Sequence, residues 1–282
     1  MSTVHIATGA GRGMGRACAD RLAPTADVLV VVDRDETALG AAADALAGSA
    51  ARIVPVTLDV TDAAAVAALA DQVQGLGDLS GVAHAAGISP TMADWRAVLD
   101  VDLVGTALLI DALTPLVTPG TAMVCFASMA AHLMGLAGPT DPAIDAVLDD
   151  PRAPDFLERM REAGGEGIEE PGIAYSYAKR GVQRLVRRTA IAWGPRGGRI
   201  NSMSPGLIDT PMGRQEFDHQ PVMAVMLEQT PLRREGSADE LAAVVAFLCS
   251  PEAGYVSGTD VLVDGGCVAA MEAMVAGPTP GG

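Results

Sequence analysis

A chain of 282 residues, 49 % apolar and 19 % charged, can bury a large core, which excludes disorder as its overall state. Its net charge of −16 argues against nucleic acid or an anionic membrane surface as a partner. No apolar run approaches the roughly 18 residues of a membrane span, and the start Met-Ser-Thr-Val-His-Ile has no signal core, so a soluble cytoplasmic protein is expected.

Short apolar runs alternate with helical patterns almost to the end, the signature of βαβ units and a parallel sheet. This predicts an α/β fold: one Rossmann-type, doubly wound domain over residues 1–282, with helices on both faces. The first strand, Val4–Thr8, runs into the turn Gly9, Arg12, Gly13, Met14 and Gly15, which opens a helix over Gly13–Leu22. Glycines there let backbone approach a pyrophosphate, whose charge sits at the positive helix end. The second strand, Val28–Asp33, lacks polar alternation, as expected of a strand covered on both faces. Asp33 follows Gly13 by about 20 residues, where a carboxylate can accept both ribose hydroxyls of adenosine. That carboxylate repels a 2′-phosphate and favours NAD over NADP, while Arg12 and Arg34 pull the other way.

A helix over Glu36–Ala47 leads to a strand over Arg52–Thr57, which Pro55 places at a sheet edge. Further on, helices are expected over Asp62–Gln74, Asp94–Leu116, Tyr175–Trp193 and Ala238–Ser250. The remaining strands are Leu79–His84, Ala122–Ala127, Arg199–Met203 and Asp260–Val263. Two stretches break the alternation. The segment 132–172 reads as an insertion with helical pieces around Ala143–Leu148 and Asp155–Glu162, and Pro205–Pro231 reads as a long loop with Met212, Met223 and Met226. The tail over 275–282 is expected to fray.

Cys18, Cys125, Cys249 and Cys267 form no C-x-x-C pair and read as reduced, packed thiols. His5, His84, His132 and His219 show no metal-ligand spacing, so no metal is expected. All but one of the 19 basic residues are arginine, and the exception, Lys179, stands four residues after Tyr175 on one helical face. An ammonium beside a phenol stabilises phenolate, so the pair is a candidate general acid/base. Ser128, just past the fifth strand, lies at the carboxyl edge where ligands bind, and its hydroxyl can hold the substrate oxygen.

Together, Thr8–Gly15, Asp33, Asp59-Val60, Ser128, Tyr175 with Lys179, and Asn201–Thr210 make the chain resemble the short-chain dehydrogenase/reductase family over nearly its whole length. The insertion and Ala190-Ile-Ala-Trp-Gly194 resemble the 3α-hydroxysteroid dehydrogenase/carbonyl reductases within it. The resemblance implies a seven-stranded sheet and hydride exchange between a nicotinamide and a carbonyl or alcohol. It implies that Asp59 and Val60 meet the adenine, that Lys179 also holds the nicotinamide ribose, and that Pro205, Gly206, Ile208 and Thr210 line the nicotinamide end. His84-Ala-Ala-Gly87 stands where the family has Asn-Asn-Ala-Gly, with Ala86 and Gly87 keeping the cofactor side small. Asp102 stands where the family has a catalytic Asn, whose backbone carbonyl helps hold a water that links the lysine to solvent.

The insertion and the Met-rich loop are expected to wall an apolar cleft, which points to a bulky, weakly polar, steroid- or terpenoid-like alcohol or ketone. The insertion covering a surface or building a subunit contact is the other reading. The family habit of pairing helices suggests a homo-oligomer, dimer or tetramer. Two other functions stand beside the NAD-dependent oxidoreductase: reduction of 3-oxoacyl chains on an acidic carrier, which the −16 charge disfavours, and a weakly active nicotinamide-binding sensor.

Overall fold

In a computed structural model that describes residues 1–138 and 140–276, the chain alternates strand and helix around one parallel sheet. The strands are β1 (Thr3–Thr8), β2 (Val28–Asp33), β3 (Arg52–Thr57), β4 (Asp78–His84), β5 (Ala122–Phe126) and β6 (Arg199–Pro205), then the two-residue β7 (Ile208–Asp209) and β8 (Gly236–Ser237), which pair with each other, and β9 (Asp260–Val263). The large sheet has seven strands in the order β3-β2-β1-β4-β5-β6-β9, as a doubly wound fold requires. Pro55 lies on β3 at the edge, where its missing N–H costs no ladder bond.

Successive residues of β2 explain the double cover. Val28, Val30 and Val32 enter one buried cluster, while Leu29 and Val31 enter another on the opposite face. The first cluster takes Val66 and Leu69 from α3 (Ala63–Leu76), Ile110 from α5 (Gly105–Leu113), and Val182 and Val186 from α9 (Pro171–Trp193). The second takes Cys18 and Leu22 from α1 (Gly13–Leu22), Leu39 from α2 (Glu36–Leu46), and Leu241 and Val245 from α12 (Ala238–Cys249). Each such aliphatic side chain contributes about 1.5–3 kcal/mol on burial. All four cysteines are free thiols.

Several elements differ from the sequence expectation. The helix expected over Asp94–Leu116 is present as an uninterrupted helical run whose winding changes along its length, through α4 (Trp95–Leu99), a π turn over Asp100–Val104, α5 and a 3-10 turn over Thr114–Leu116. The catalytic-helix candidate starts at Pro171, not Tyr175, because Glu170 caps it by accepting the Ile173 N–H at 2.7 Å and Pro171 suits the first turn. The expected loop Pro205–Pro231 folds into α10 (Pro211–His219), capped by Thr210, and α11 (Val222–Gln229). Met223 and Met226 of α11 pack with Leu207, Cys267 and Val268, a satellite cluster that local turn signals do not reveal. A last helix, α13 (Cys267–Ala276), carries the chain into the region expected to fray; residues 277–282 lie outside the described residues.

The insertion contains α6 (Met129–Leu133) at its edge, then α7 (Pro142–Leu148) and α8 (Phe156–Gly164). Ile144, Leu148, Phe156 and Met160 extend the first core cluster, and Arg184 of α9 spans Asp145 and Asp149 at 3.0 and 2.7 Å. Thus α7 clasps the flank of α9 with α8 packed on α7, and neither helix lines the cleft. The apolar residues of the insertion reached core already covering α9, and the charge pairs fixed them there.

Candidate functional site

A continuous cleft runs along the carboxyl edge of the sheet, beside the point where the strand order reverses between β1 and β4. One half is lined by Gly9, Arg12, Gly13, Met14, Gly15, Asp33, Asp59, Val60, Ala86 and Gly87. The other half is lined by Ser128, Tyr175, Lys179, Pro205, Gly206 and Ile208, with Met14, Gly87 and Thr210 shared by both. The sequence candidates therefore converge, except that Asp102 stands behind the lining, buried under Gly87. Of the insertion, Leu133 and Gly172 reach the second half.

At the first half, Gly9 has φ +65°, and a Cβ there would lie 2.9 Å from the Ala85 carbonyl oxygen, so only glycine brings the loop this close to the end of β4. Asp33 is held by two amides: its Oδ2 accepts the Gly11 N–H at 2.9 Å and its Oδ1 the Asp35 N–H at 3.0 Å. Arg12 pairs with Asp35 at 3.5 Å, which occupies one of the two guanidinium groups able to receive a phosphate. Asp59 accepts the N–H and hydroxyl of Thr61, bonds that hold its carboxyl below the ordinary range. A bare carboxylate, a narrow glycine turn and an open helix N-terminus fit the adenosine diphosphate half of a nicotinamide dinucleotide.

At the second half, α9 brings Tyr175 and Lys179 to one face, with Lys179 Nζ 5.4 Å from the centroid of the phenol ring. Lys179 is buried and donates to the Phe126 carbonyl at 3.2 Å. Its Nζ also lies 3.5 Å from Asp102 Oδ1, which accepts the Ile88 N–H at 2.9 Å. Gly87 leaves room for that pair, since a Cβ there would stand 2.6 Å from Asp102 Oδ1. Ser128 caps α6 by accepting the Ala130 N–H at 3.2 Å, and it lines the same half of the cleft as Tyr175.

Burial, then Glu216 and Asp102, hold the Tyr175 phenol above its ordinary range, and the Ser128 hydroxyl opposes them. Burial is the largest of these influences, and the Lys179 ammonium beside the ring is shared with Asp102. Burial likewise pushes Asp102 up, and its buried Oδ2 has no hydrogen-bond partner among the described residues.

His84 takes up the family departure in a definite way. Thr8 Oγ1 accepts the Ala86 N–H at 3.1 Å, so its hydroxyl proton points to His84 Nδ1 at 2.8 Å. That tautomer, assigned from the bonding pattern, lets Nε2–H donate to Thr106 Oγ1 at 3.0 Å. Thr106 in turn donates to the Asp102 carbonyl at 2.8 Å, closing a chain from the glycine loop to the π turn. Burial, then Lys179, holds His84 down to about 3, so the ring is neutral at ordinary pH. The Asp102 carbonyl assigned to a water by resemblance thus accepts the Thr106 hydroxyl.

Sequence reasoning missed Thr106 and Glu216. A threonine inside an apolar helix gives no signal by spacing. Glu216 follows the Thr210 cap on α10, a helix the sequence reading left as loop.

A family model described as Enoyl-(Acyl carrier protein) reductase matches residues 9–139 and 161–268, leaving the middle of the insertion unmatched. The chain is 31 % identical over 266 residues to the short-chain dehydrogenase/reductase bsc3 of Alternaria brassicicola, covering 94 % of this chain and 95 % of that protein. It is 30 % identical over 260 residues to the 3-alpha-hydroxysteroid dehydrogenase/carbonyl reductase of Comamonas testosteroni, covering 86 % of this chain and 97 % of the relative. The solved 3-alpha-hydroxysteroid dehydrogenase from Pseudomonas sp. B-0831, complexed with NADH, superposes with a TM-score of 0.74 at 28 % identity, over 96 % of this chain and 98 % of that one.

Proposed function

The chain belongs to the short-chain dehydrogenase/reductase family, oxidoreductases acting on CH–OH groups with a nicotinamide cofactor, and we propose that it interconverts a secondary alcohol and a ketone with NAD(H) on a largely apolar substrate. The single observation that carries this reading is the meeting of Ser128, Tyr175 and Lys179 at one end of a cleft whose other end presents Asp33 beside a glycine turn. The glycine-loop amides and the N-terminus of α1 receive the pyrophosphate, Asp33 the adenosine ribose, and Asp59 with Val60 the adenine. A nicotinamide held against Pro205–Thr210 supplies the hydride acceptor or donor. Ser128 holds the substrate oxygen by its hydroxyl, and Tyr175 Oη takes or returns the proton. Lys179 holds the nicotinamide ribose and keeps positive charge under the phenol.

NAD is favoured over NADP because Asp33 is fixed by two amides and Arg12 is engaged by Asp35. An apolar substrate body is favoured by Ile88, Leu133, Phe217, Met223 and Met226, which line the second half. Among the described residues no helix is long and apolar enough to cross a membrane. A homo-oligomer is the assembly we propose; Ile191 on α9, Phe247 on α12 and Tyr255 in the turn after α12 are exposed.

The test is nicotinamide reduction, followed by absorbance, with a panel of cyclic apolar alcohols and open-chain sugars, NAD and NADP side by side. Turnover of the cyclic alcohols with NAD is the expected result; turnover of sugars alone overturns the substrate reading.

A further inference from the structure

Glu216 is the one carboxylate among the residues lining the second half of the cleft, and nothing in the oxidoreductase chemistry above uses it. It projects from α10 into a wall that includes Ile88, Pro90, Leu133, Phe217 and Met223, with Gln220 four residues further along the chain. The fully buried Ser89, whose hydroxyl is hydrogen-bonded to Thr91 at 2.8 Å, acts on it only by lowering its pKa. Its charge acts on the Tyr175 phenol, so acid and phenol address the same space. A carboxyl in such surroundings is costly unless a donor meets it.

We propose that Glu216 is a specificity-determining residue that accepts a hydrogen bond from a second hydroxyl of the substrate, close to the reacting carbinol. The proposal rests on the alcohol–ketone reading and narrows its substrate class to neutral diols or hydroxyketones with an apolar body. One oxygen of such a substrate meets Ser128 and Tyr175; the other meets Glu216. A mono-alcohol leaves the carboxylate desolvated and unpaired, and a carboxylate substrate sets like charges together. A site built to pair with a hydroxyl discriminates strongly against the analogue that lacks it.

The groups facing Glu216 set its pH behaviour. Burial is the largest influence and raises it to about 7; Lys179 from α9 lowers it, Asp102 from the π turn raises it, and Ser89 after β4 lowers it. The ionised carboxylate is the better acceptor, so preference for the diol grows as pH rises through 7.

The test compares 1,2-cyclohexanediol, cyclohexanol and 3-hydroxycyclohexanecarboxylate by kcat/KM with NAD, and by calorimetric binding to the NAD-loaded Tyr175→Phe protein. The expected result is at least a tenfold preference for the diol over cyclohexanol, with the carboxylate weakest, in both readouts. In Glu216→Gln the diol-to-cyclohexanol ratio falls below threefold, and Glu216→Asp restores part of it. Equal affinities in the unsubstituted chain, or an equal loss for all three ligands in Glu216→Gln, overturns the proposal. Should Glu216→Gln fail to fold, the unsubstituted chain decides: a ratio that rises between pH 6 and pH 8 supports the proposal, and a flat ratio overturns it. Absence of turnover with every alcohol and either cofactor counts against the oxidoreductase reading, while the binding preference still judges Glu216.

Discussion

Asp102 and Lys179 form a buried pair, with Nζ 3.5 Å from Oδ1 and only the Lys179 side chain touching the cleft. One Asp102 oxygen is satisfied by the Ile88 amide and the ammonium, while the other has no partner among the described residues. A π turn is what aims this side chain inward, and such turns are frequent at functional sites. A buried pair of this kind is weak evidence for stability, since desolvation offsets much of the attraction. Its consequence for chemistry is clearer: the ammonium's field is shared between a carboxyl and a phenol.

Asp102→Asn keeps the acceptor for Ile88 and removes a negative neighbour that raises Tyr175. The Tyr175 phenol then deprotonates more readily, and the rising limb of alcohol oxidation moves to lower pH by about half a unit or more. The pH dependence of kcat/KM measures it. An unmoved or alkaline-shifted limb contradicts the electrostatic account of the site.

Asp33→Ala removes the carboxylate held by Gly11 and Asp35 without touching the chemical end of the cleft. KM for NAD rises about tenfold or more, the loss of roughly 1.4 kcal/mol of binding, and the NAD-to-NADP preference shrinks or reverses because Arg34 remains. Steady-state kinetics with both cofactors checks it. Unchanged discrimination removes Asp33 from the ribose site.

Arg184→Ala cuts the link from α9 to Asp145 and Asp149, and stability falls by about 1–2 kcal/mol. Urea denaturation measures the loss, which salt reduces. KM for the cofactor stays the same, since α7 and α8 do not line the cleft. A raised cofactor KM would show that the insertion does shape the site.

Much of this was legible from local pattern. The glycine turn, Asp33 and the Tyr175–Lys179 spacing announce themselves because backbone approach, strand ends and helical periodicity are short-range constraints. Seven strands and the edge position of Pro55 followed from run lengths and one missing N–H. What escaped was set by distant packing. Met223 and Met226 needed Leu207 and Cys267 to become a helix face, and residues 205–231 read as loop without them. The insertion was expected in the cleft by connectivity, yet Arg180 and Arg184, far along α9, drew its acids to that helix. The upward push on Tyr175 needed Glu216 and Asp102, neither adjacent in sequence, beside burial.

The central claim is that Tyr175 carries the proton while a bound nicotinamide exchanges hydride. Tyr175→Phe removes Oη and keeps the ring beneath which Lys179 lies, 5.4 Å from its centroid. The most direct measurement is NADH formation from a turned-over alcohol by both proteins, with calorimetric binding of NAD alongside. The account predicts a fall in kcat of about a thousandfold with NAD still bound by the variant. Equal turnover in the two proteins would contradict it.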